Sequence, residues 1–138
     1  MISDSEIERL LSEAIDAGEN AYAPYSGYRV GAALLTESGE MFKGCNVENA
    51  AFTPGSCAER TALNYAVASG FRSFKAIAVA GGGNGKSSRP AYPCGVCRQV
   101  LREFADDDFC VICADRDGHY EIHTLGELLP FSFGPENL

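Results

Sequence analysis

The 138-residue sequence predicts a single α/β domain, residues 1–138, built on one mixed β-sheet of about five strands with helices on both faces. Two observations predict this class. Segments with helical periodicity alternate along the chain with segments of strand character. Residues 74–80 are apolar almost throughout, as expected of a strand covered on both faces. With 46% hydrophobic residues, the chain has enough apolar material for one core.

The first part of the chain predicts a helix followed by a β-hairpin. Ser3 and Glu6 have the spacing of a capping box. Apolar residues at helical spacing follow them, namely Ile7, Leu10, Leu11, Ala14 and Ile15. Pro24 ends this region. Residues 30–35 and 41–45 are predicted strands, and the turn residues 37–40 join them into a hairpin.

Two further helices are each predicted to begin at a cysteine. Cys57 opens a helix that stops at Gly70. Pro93 and Cys94 begin another, whose apolar stripe is Val100, Leu101 and Phe104. Strands are expected at residues 74–80, 110–114 and 120–123, and Thr124 should cap a last short helix. Residues 81–92, rich in Gly, Ser and Pro, predict a loop.

Three cysteines and one glutamate predict a catalytic zinc site. Cys57, Cys94 and Cys97 provide three thiolates, and Glu59 lies two residues from the first of them. Hydrolytic zinc sites use three protein ligands and leave the fourth position to water, whose pKa the metal lowers to about 7. The arrangement resembles that of the zinc deaminases, in which the glutamate moves protons. Arg60 is placed to offset the negative charge of three thiolates.

Two other uses of these cysteines are possible from the sequence. A Cys-x-x-Cys pair is often redox-active or structural. Cys94 and Cys97 with Cys110 and Cys113 have the spacing of a four-cysteine structural zinc module. Strand geometry argues against the module, because positions i and i+3 of a strand point to opposite faces. We therefore expect Cys110, Cys113 and Cys45 to be small buried apolar residues.

Composition limits the partners. The net charge is −8, which opposes binding along a nucleic-acid backbone. The acidic N-terminal residues show no secretory signal, and the apolar runs are too short to span a bilayer. Six cysteines without an export signal suggest a cytoplasmic location and metal binding. The sequence thus predicts a small free substrate, no nucleic acid and no membrane, and His119 and His123 are expected at the surface or in packing.

Several motifs resemble the small homotetrameric type of cytidine deaminase. They cover nearly the whole chain and comprise residues 21–26, 44–51, 57–62 and 93–99. The resemblance implies that Asn46 and Glu48 bind the ribose hydroxyls and that the backbone at Ala50 and Ala58 contacts the substrate. Without the resemblance, Asn46 and Glu48 would be interpreted as the polar end of a strand.

The resemblance also implies two aromatic contacts. Tyr28 would lie over the sugar or base, at a position where the family usually has Phe. Phe133 would reach the active site of a neighbouring subunit, so that a homotetramer shares its active sites, although Phe131 and Phe133 could instead be core residues. The implied cofactor is one Zn²⁺ per chain.

The implied activity is hydrolytic deamination of cytidine and 2′-deoxycytidine to uridine and 2′-deoxyuridine plus ammonia, in pyrimidine salvage. A related enzyme acting on another aminopyrimidine nucleoside is the first alternative, although Asn46 and Glu48 suit a ribose. A polynucleotide deaminase is a second, but such relatives usually carry His where Cys57 stands and need a basic surface. The non-enzymatic alternative is the four-cysteine binding module.

Overall fold

The computed structural model describes residues 1–83 and 89–138 and contains a five-stranded sheet in the order β2-β1-β3-β4-β5. Its strands are β1 Tyr28–Thr36, β2 Met41–Cys45, β3 Phe74–Gly83, β4 Cys110–Ala114 and β5 Tyr120–Thr124. β3 and β4 are parallel, whereas β1 pairs antiparallel with β2 and β3, and β4 with β5. The predicted mixed sheet is confirmed.

Helices cover both faces of this sheet, as predicted. They are α1 Asp4–Gly18, α2 Ala58–Ala68, α3 Gly95–Arg102 and α4 Leu125–Leu128, followed by a 3₁₀ turn at Pro135–Asn137. Buried side chains of α1 form one core with one face of the sheet, and those of α2, α3 and α4 form a second core with the opposite face. In the part of the chain that is described, no helix combines the length and the apolar character needed to cross a bilayer.

Helix α1 begins where the sequence predicts. The Ser3 hydroxyl accepts a hydrogen bond from the Glu6 amide and the Glu6 carboxylate accepts one from the Ser3 amide, which completes the capping box. The Glu6 carboxylate also pairs with Lys75 of β3 at 2.9 Å. Leu10 and Ala14 are fully buried against the sheet, and burial of a leucine side chain contributes about 1.5–3 kcal/mol.

Two glycines let helix backbones approach the sheet closely. A Cβ atom at Gly44 of β2 would lie 2.6 Å from the Ala58 carbonyl oxygen and would also overlap the Ala62 amide nitrogen. On the opposite face, a Cβ at Gly31 of β1 would overlap the Ala14 carbonyl oxygen. The first contact presses the opening turn of α2, which follows Cys57, against the sheet.

Two sequence predictions were wrong at element ends. Residues 81–83 were predicted to begin a loop, but they belong to β3, which continues through Gly83. Gly81 pairs with Val30 of β1 and Gly83 with Tyr28. Residues 84–88 of that loop lie outside the described part of the chain. Helix α3 ends at Arg102, so Phe104 lies beyond it and packs edge-to-face on Phe74 at 6.1 Å.

The two cysteines of β4 face opposite sides of the sheet, as strand alternation predicts. Cys113 is buried in the core beneath α2 and α3, whereas Cys110 packs against the core beneath α1. Their sulfurs therefore cannot join one metal ion. This placement contradicts the four-cysteine module.

Candidate active site

A cavity of about 640 Å³ opens beside the start of α2. The residues that line it come from the segment before β1, the start of β1, the segment after β2, the start of α2, β3 and the segment before α3. Eight of the predicted site residues are among them: Tyr28, Asn46, Glu48, Cys57, Ala58, Glu59, Arg60 and Cys94. The fold thus brings together residues that lie up to 66 positions apart in the chain.

Three thiols meet at the N-termini of two helices. Cys57 is the N-cap of α2, Cys94 is the N-cap of α3, and Cys97 lies buried in the first turn of α3. The three sulfurs lie within 4.8 Å of one another, and the Cys57 and Cys94 sulfurs are 3.9 Å apart. Tetrahedral zinc with Zn–S bonds of about 2.3 Å requires sulfurs about 3.8 Å apart. The Cys57–Cys94 spacing therefore matches a zinc site, and the Cys97 sulfur lies close enough to be the third ligand.

Neighbouring hydrogen-bond donors favour the thiolate form of Cys57 in this cluster. The pKa of Cys57 is lowered, first because the Cys97 thiol donates a hydrogen bond to it and then because Arg60 and Cys94 do the same. Arg60 Nη2 lies 3.6 Å from the Cys57 sulfur, and its Nε is buried without a hydrogen-bond partner among the described residues. The pKa of Cys97 is raised in turn, because its proton is the one shared with Cys57. Arg60 thus lies within reach of a candidate ligand sulfur, and its charge-offsetting role stays a prediction.

Glu59 lies next to the three thiols, but its carboxylate is not one of the candidate metal ligands. It is 4% exposed in the first turn of α2, and its burial raises the pKa of the carboxyl to about 7. A carboxyl group with a pKa near neutrality can both accept and donate a proton near pH 7. A second cluster of side chains that could bind a metal lies outside this cavity and consists of Asp115, Asp117 and His119. In that cluster both carboxylate oxygens of Asp115 already accept hydrogen bonds from within the protein.

Asn46 and Glu48 hold the protein's own backbone. The Asn46 side chain accepts from the Val30 amide at 2.9 Å and donates to the Tyr28 carbonyl at 2.8 Å. The Glu48 carboxylate accepts from the Tyr25 and Ser26 amides at 3.0 and 3.1 Å and from the Ser26 hydroxyl at 2.5 Å. The family resemblance implies a sugar-binding role for these side chains, and the structure shows that both also hold the chain around the cavity. Each keeps unused hydrogen-bonding capacity.

The remaining predicted residues differ in their positions. Tyr28 lines the cavity, and its hydroxyl lies over Gly81, where a Cβ would come within 3.0 Å of it. Ala50 lines an adjoining cavity that shares Glu48. Phe133 is 59% exposed and is not among the residues that line the main cavity, so its predicted contact with a neighbouring subunit stays a prediction.

Sequence reasoning missed one prominent residue of the cavity. Tyr92 lines it, two positions before Cys94, and its hydroxyl donates to Glu121 of β5 at 2.6 Å. The closeness of Tyr92 to a predicted ligand is the signal that could have identified it. Its partner Glu121 carries no such signal, because it lies 29 positions away and meets Tyr92 only through the fold.

Comparison with known proteins gives one consistent result. Residues 4–113 match the family model described as the cytidine and deoxycytidylate deaminase zinc-binding region. A cytidine deaminase of Sporosarcina psychrophila is 46% identical over 133 residues, which is 96% of this chain and 95% of that protein. A cytidine deaminase of Halalkalibacterium halodurans is 44% identical over 95% of this chain and 96% of its own length.

A solved structure shows the same architecture. The crystal structure of a cytidine deaminase from Burkholderia pseudomallei has a TM-score of 0.84 and 44% sequence identity. The match covers 96% of this chain and all of that one. The agreement extends over the five-stranded sheet and the helices that carry the thiol cluster, which is the arrangement predicted from the sequence.

Proposed function

This chain belongs to the family of cytidine and deoxycytidylate deaminases, and on that premise we propose that it catalyses the zinc-dependent hydrolytic deamination of cytidine and 2′-deoxycytidine. The products are uridine or 2′-deoxyuridine and ammonia. One observation carries the proposal: three thiols fit a zinc ion, while a fourth acidic group, Glu59, lies buried beside them in the same cavity without being needed as a ligand.

Cys57, Cys94 and Cys97 would hold one zinc ion per chain. When bound, the metal would supply Lewis-acid activation of water at neutral pH. Neither N-cap cysteine uses its sulfur in a side-chain capping hydrogen bond, so neither sulfur is engaged by its own helix. Arg60 would offset part of the charge of the three thiolates through its contact with the Cys57 sulfur.

Glu59 would move the protons of the reaction. It accepts a proton from the water that attacks C4 of the pyrimidine and delivers it to ring N3. The carboxylate then takes the remaining proton from the hydroxyl group now on C4 and gives it to the 4-amino group, so that the C4–N bond breaks, ammonia leaves and the 4-carbonyl of the uracil ring forms. Burial supports this role, because it brings the pKa of the Glu59 carboxyl to about 7, where both transfers are accessible.

The charge of the cavity favours a nucleoside over a nucleotide. Of the described residues that line it, Glu48 and Glu59 are acidic, and the basic Arg60 is directed to the Cys57 sulfur. A phosphate group would meet two carboxylates there and would lack a free basic partner among these residues. This supports cytidine and 2′-deoxycytidine as substrates rather than deoxycytidylate.

Sugar recognition is assigned to Asn46 and Glu48 through the hydrogen-bonding capacity that their backbone contacts leave free. The Tyr28 ring would pack on the sugar or base, and the backbone at Ala50 and Ala58 would contact the substrate. Phe133 would complete the active site of a neighbouring subunit within a homotetramer. The cell's use of such an enzyme would be pyrimidine salvage in the cytoplasm.

The test is an absorbance assay of cytidine deamination with zinc-loaded protein and its Glu59→Ala variant. Loss of a positioned proton carrier is expected to lower kcat by about 10²–10⁴-fold, while zinc content and thermal stability are retained. Glu8→Ala, which removes an exposed carboxylate from α1, is the matched control and should leave the rate unchanged. Near-normal turnover by folded, zinc-loaded Glu59→Ala would contradict the mechanism.

A further inference from the structure

Tyr92 joins the cavity to the far edge of the sheet. It lines the cavity together with Cys57, Glu59 and Cys94, and it is 40% exposed. The chain is fixed immediately before it, because the Ala91 amide donates to the carbonyl at the end of β4 at 2.9 Å. Tyr92 is therefore held at the cavity wall by a backbone that is hydrogen-bonded to β4.

The Tyr92 hydroxyl is the first member of a hydrogen-bond network that continues through Glu121 and His123 to Glu127. It donates to Glu121 Oε2 at 2.6 Å, and the same oxygen lies 3.0 Å from His123 Nε2. The other ring nitrogen, His123 Nδ1, lies 3.3 Å from Glu127 Oε2. The Tyr92 and His123 rings are also neighbours, with centroids 6.0 Å apart. Four residues on β5, α4 and the segment before α3 thus form one connected group.

The geometry of His123 fits its charged form. A neutral imidazole has one N–H and would direct a lone pair at one of the two carboxylates, whereas the imidazolium donates to both Glu121 and Glu127. The pKa of His123 is accordingly raised, first by its hydrogen bond to Glu121. The pKa of Glu121 is lowered, first by the hydrogen bond from Tyr92 and then by that from His123. The acceptor that holds Tyr92 is thereby kept ionised and oriented.

We propose that Tyr92 is a substrate-positioning residue, whose ring is held against the bound nucleoside by Glu121 and, through Glu121, by His123 and Glu127. The inference rests on the proposed function and adds a residue that determines how tightly the substrate is held. An aromatic ring fixed at its hydroxyl presents a defined apolar face to the flat pyrimidine or to the sugar. Because Tyr92 is neither a metal ligand nor a proton carrier in the proposed mechanism, it acts on binding and leaves the proton transfers to Glu59.

Steady-state kinetics of the zinc-loaded full-length chain with cytidine would test this proposal. Tyr92→Phe keeps the ring and removes the hydroxyl, and Glu121→Ala removes its acceptor. Each is expected to raise KM about threefold to tenfold with kcat changed less than about twofold, the loss expected for one hydrogen bond to a partly exposed charged acceptor. Because both act through one contact, the double variant should be no worse than the more affected single variant.

Two controls separate positioning from a general structural effect. Tyr120→Phe makes the same substitution on the neighbouring residue of β5 and should leave KM unchanged, because Tyr120 lies outside the cavity lining. Glu121→Gln retains an oxygen that can accept from Tyr92, so it should raise KM less than Glu121→Ala does. Zinc content and melting temperature, measured for every variant, show whether the fold is kept.

The outcomes distinguish this inference from the proposed function. An active wild type whose KM is unchanged by Tyr92→Phe, or whose two single effects multiply in the double variant, would overturn the positioning role and leave the activity intact. A change in kcat alone would also contradict it. A folded, zinc-loaded wild type that does not deaminate cytidine would overturn the proposed function and this inference with it.

Discussion

Replacing Asn46 with alanine is expected to weaken both the fold and substrate binding. Its side chain joins the end of β2 to the start of β1 through the Val30 amide and the Tyr28 carbonyl. Val30 is half-buried and packs on the core beneath α2, so water reaches its amide only in part. Alanine would remove both hydrogen bonds and leave this donor unpaired.

The size of the effect follows from these two contacts. Each hydrogen bond contributes about 0.5–1.5 kcal/mol net, and an unpaired, partly buried donor brings the loss toward the upper limit. The expected destabilisation is therefore about 1–3 kcal/mol. For a domain of this size, that loss corresponds to a fall in Tm of about 4–12 °C. Glu48→Ala should cost less than about 1 kcal/mol, because its partners Tyr25 and Ser26 are exposed and can turn to water.

Calorimetry of zinc-loaded protein at a fixed concentration measures the stability arm. Asn49→Ala is the matched control, because the Asn49 side chain accepts from the Ala51 amide within its own exposed turn. In the catalytic arm, kcat/KM for cytidine is compared with that for 3′-deoxycytidine, and the loss should shrink for the second substrate if Asn46 also binds the 3′-hydroxyl. Equal Tm values for Asn46→Ala and the Asn49 control would refute the backbone role. Equal catalytic losses on the two substrates would refute the sugar contact.

Three further predictions concern the metal and the fold. Cys110→Ala and Cys113→Ala should leave the zinc content at one ion per chain, whereas Cys97→Ala should remove it; metal analysis showing zinc loss in either of the first two would revive the four-cysteine module. Removal of zinc by a chelator should lower the Tm, because the proposed metal would link the N-termini of α2 and α3, and an unchanged Tm after complete removal would contradict that link. The pKa of Glu6 is lowered to about 2, first by the hydrogen bond from the Ser3 amide. The stabilisation that ionised Glu6 gives to the fold is therefore complete above about pH 5 and is lost as the pH falls toward 2. The Tm difference between wild type and Glu6→Gln should disappear over that interval, and a difference that persists at pH 2 would exclude Glu6 ionisation as its cause.

Local chemistry explains which parts of the molecule could be predicted from sequence. The capping box at Ser3, the hairpin and the two helices that begin at Cys57 and Cys94 depend on residues within a few positions of one another. The opposite orientation of Cys110 and Cys113 follows from the strand period alone. The predictions of these features were correct because no distant partner is needed to specify them.

The features that escaped prediction depend on contacts between distant residues. Gly81 belongs to β3 because β1 offers it a pairing partner and because the Tyr28 ring occupies the space over it; composition alone favours a loop there. The hydrogen bonds from Asn46 to the start of β1, and the contact of Tyr92 with Glu121, likewise join segments that the fold brings together. A sequence pattern identifies a polar side chain, but only the fold shows which groups it can reach.

The contact between Gly44 and helix α2 has a consequence for protein engineering. Exchanging glycine for alanine commonly stabilises a protein by about 0.4–1 kcal/mol, because the unfolded chain loses freedom. At Gly44 and Gly31 this exchange would instead separate a helix from the sheet, and at Gly44 that helix carries Glu59. Gly95, the first residue of α3, has open space where an alanine methyl group would lie, with no neighbouring atom within 4 Å, and its φ angle is not positive. Gly95→Ala is therefore the glycine substitution to test for a higher Tm, whereas Gly44 and Gly31 should be left unchanged in any set of stabilised variants.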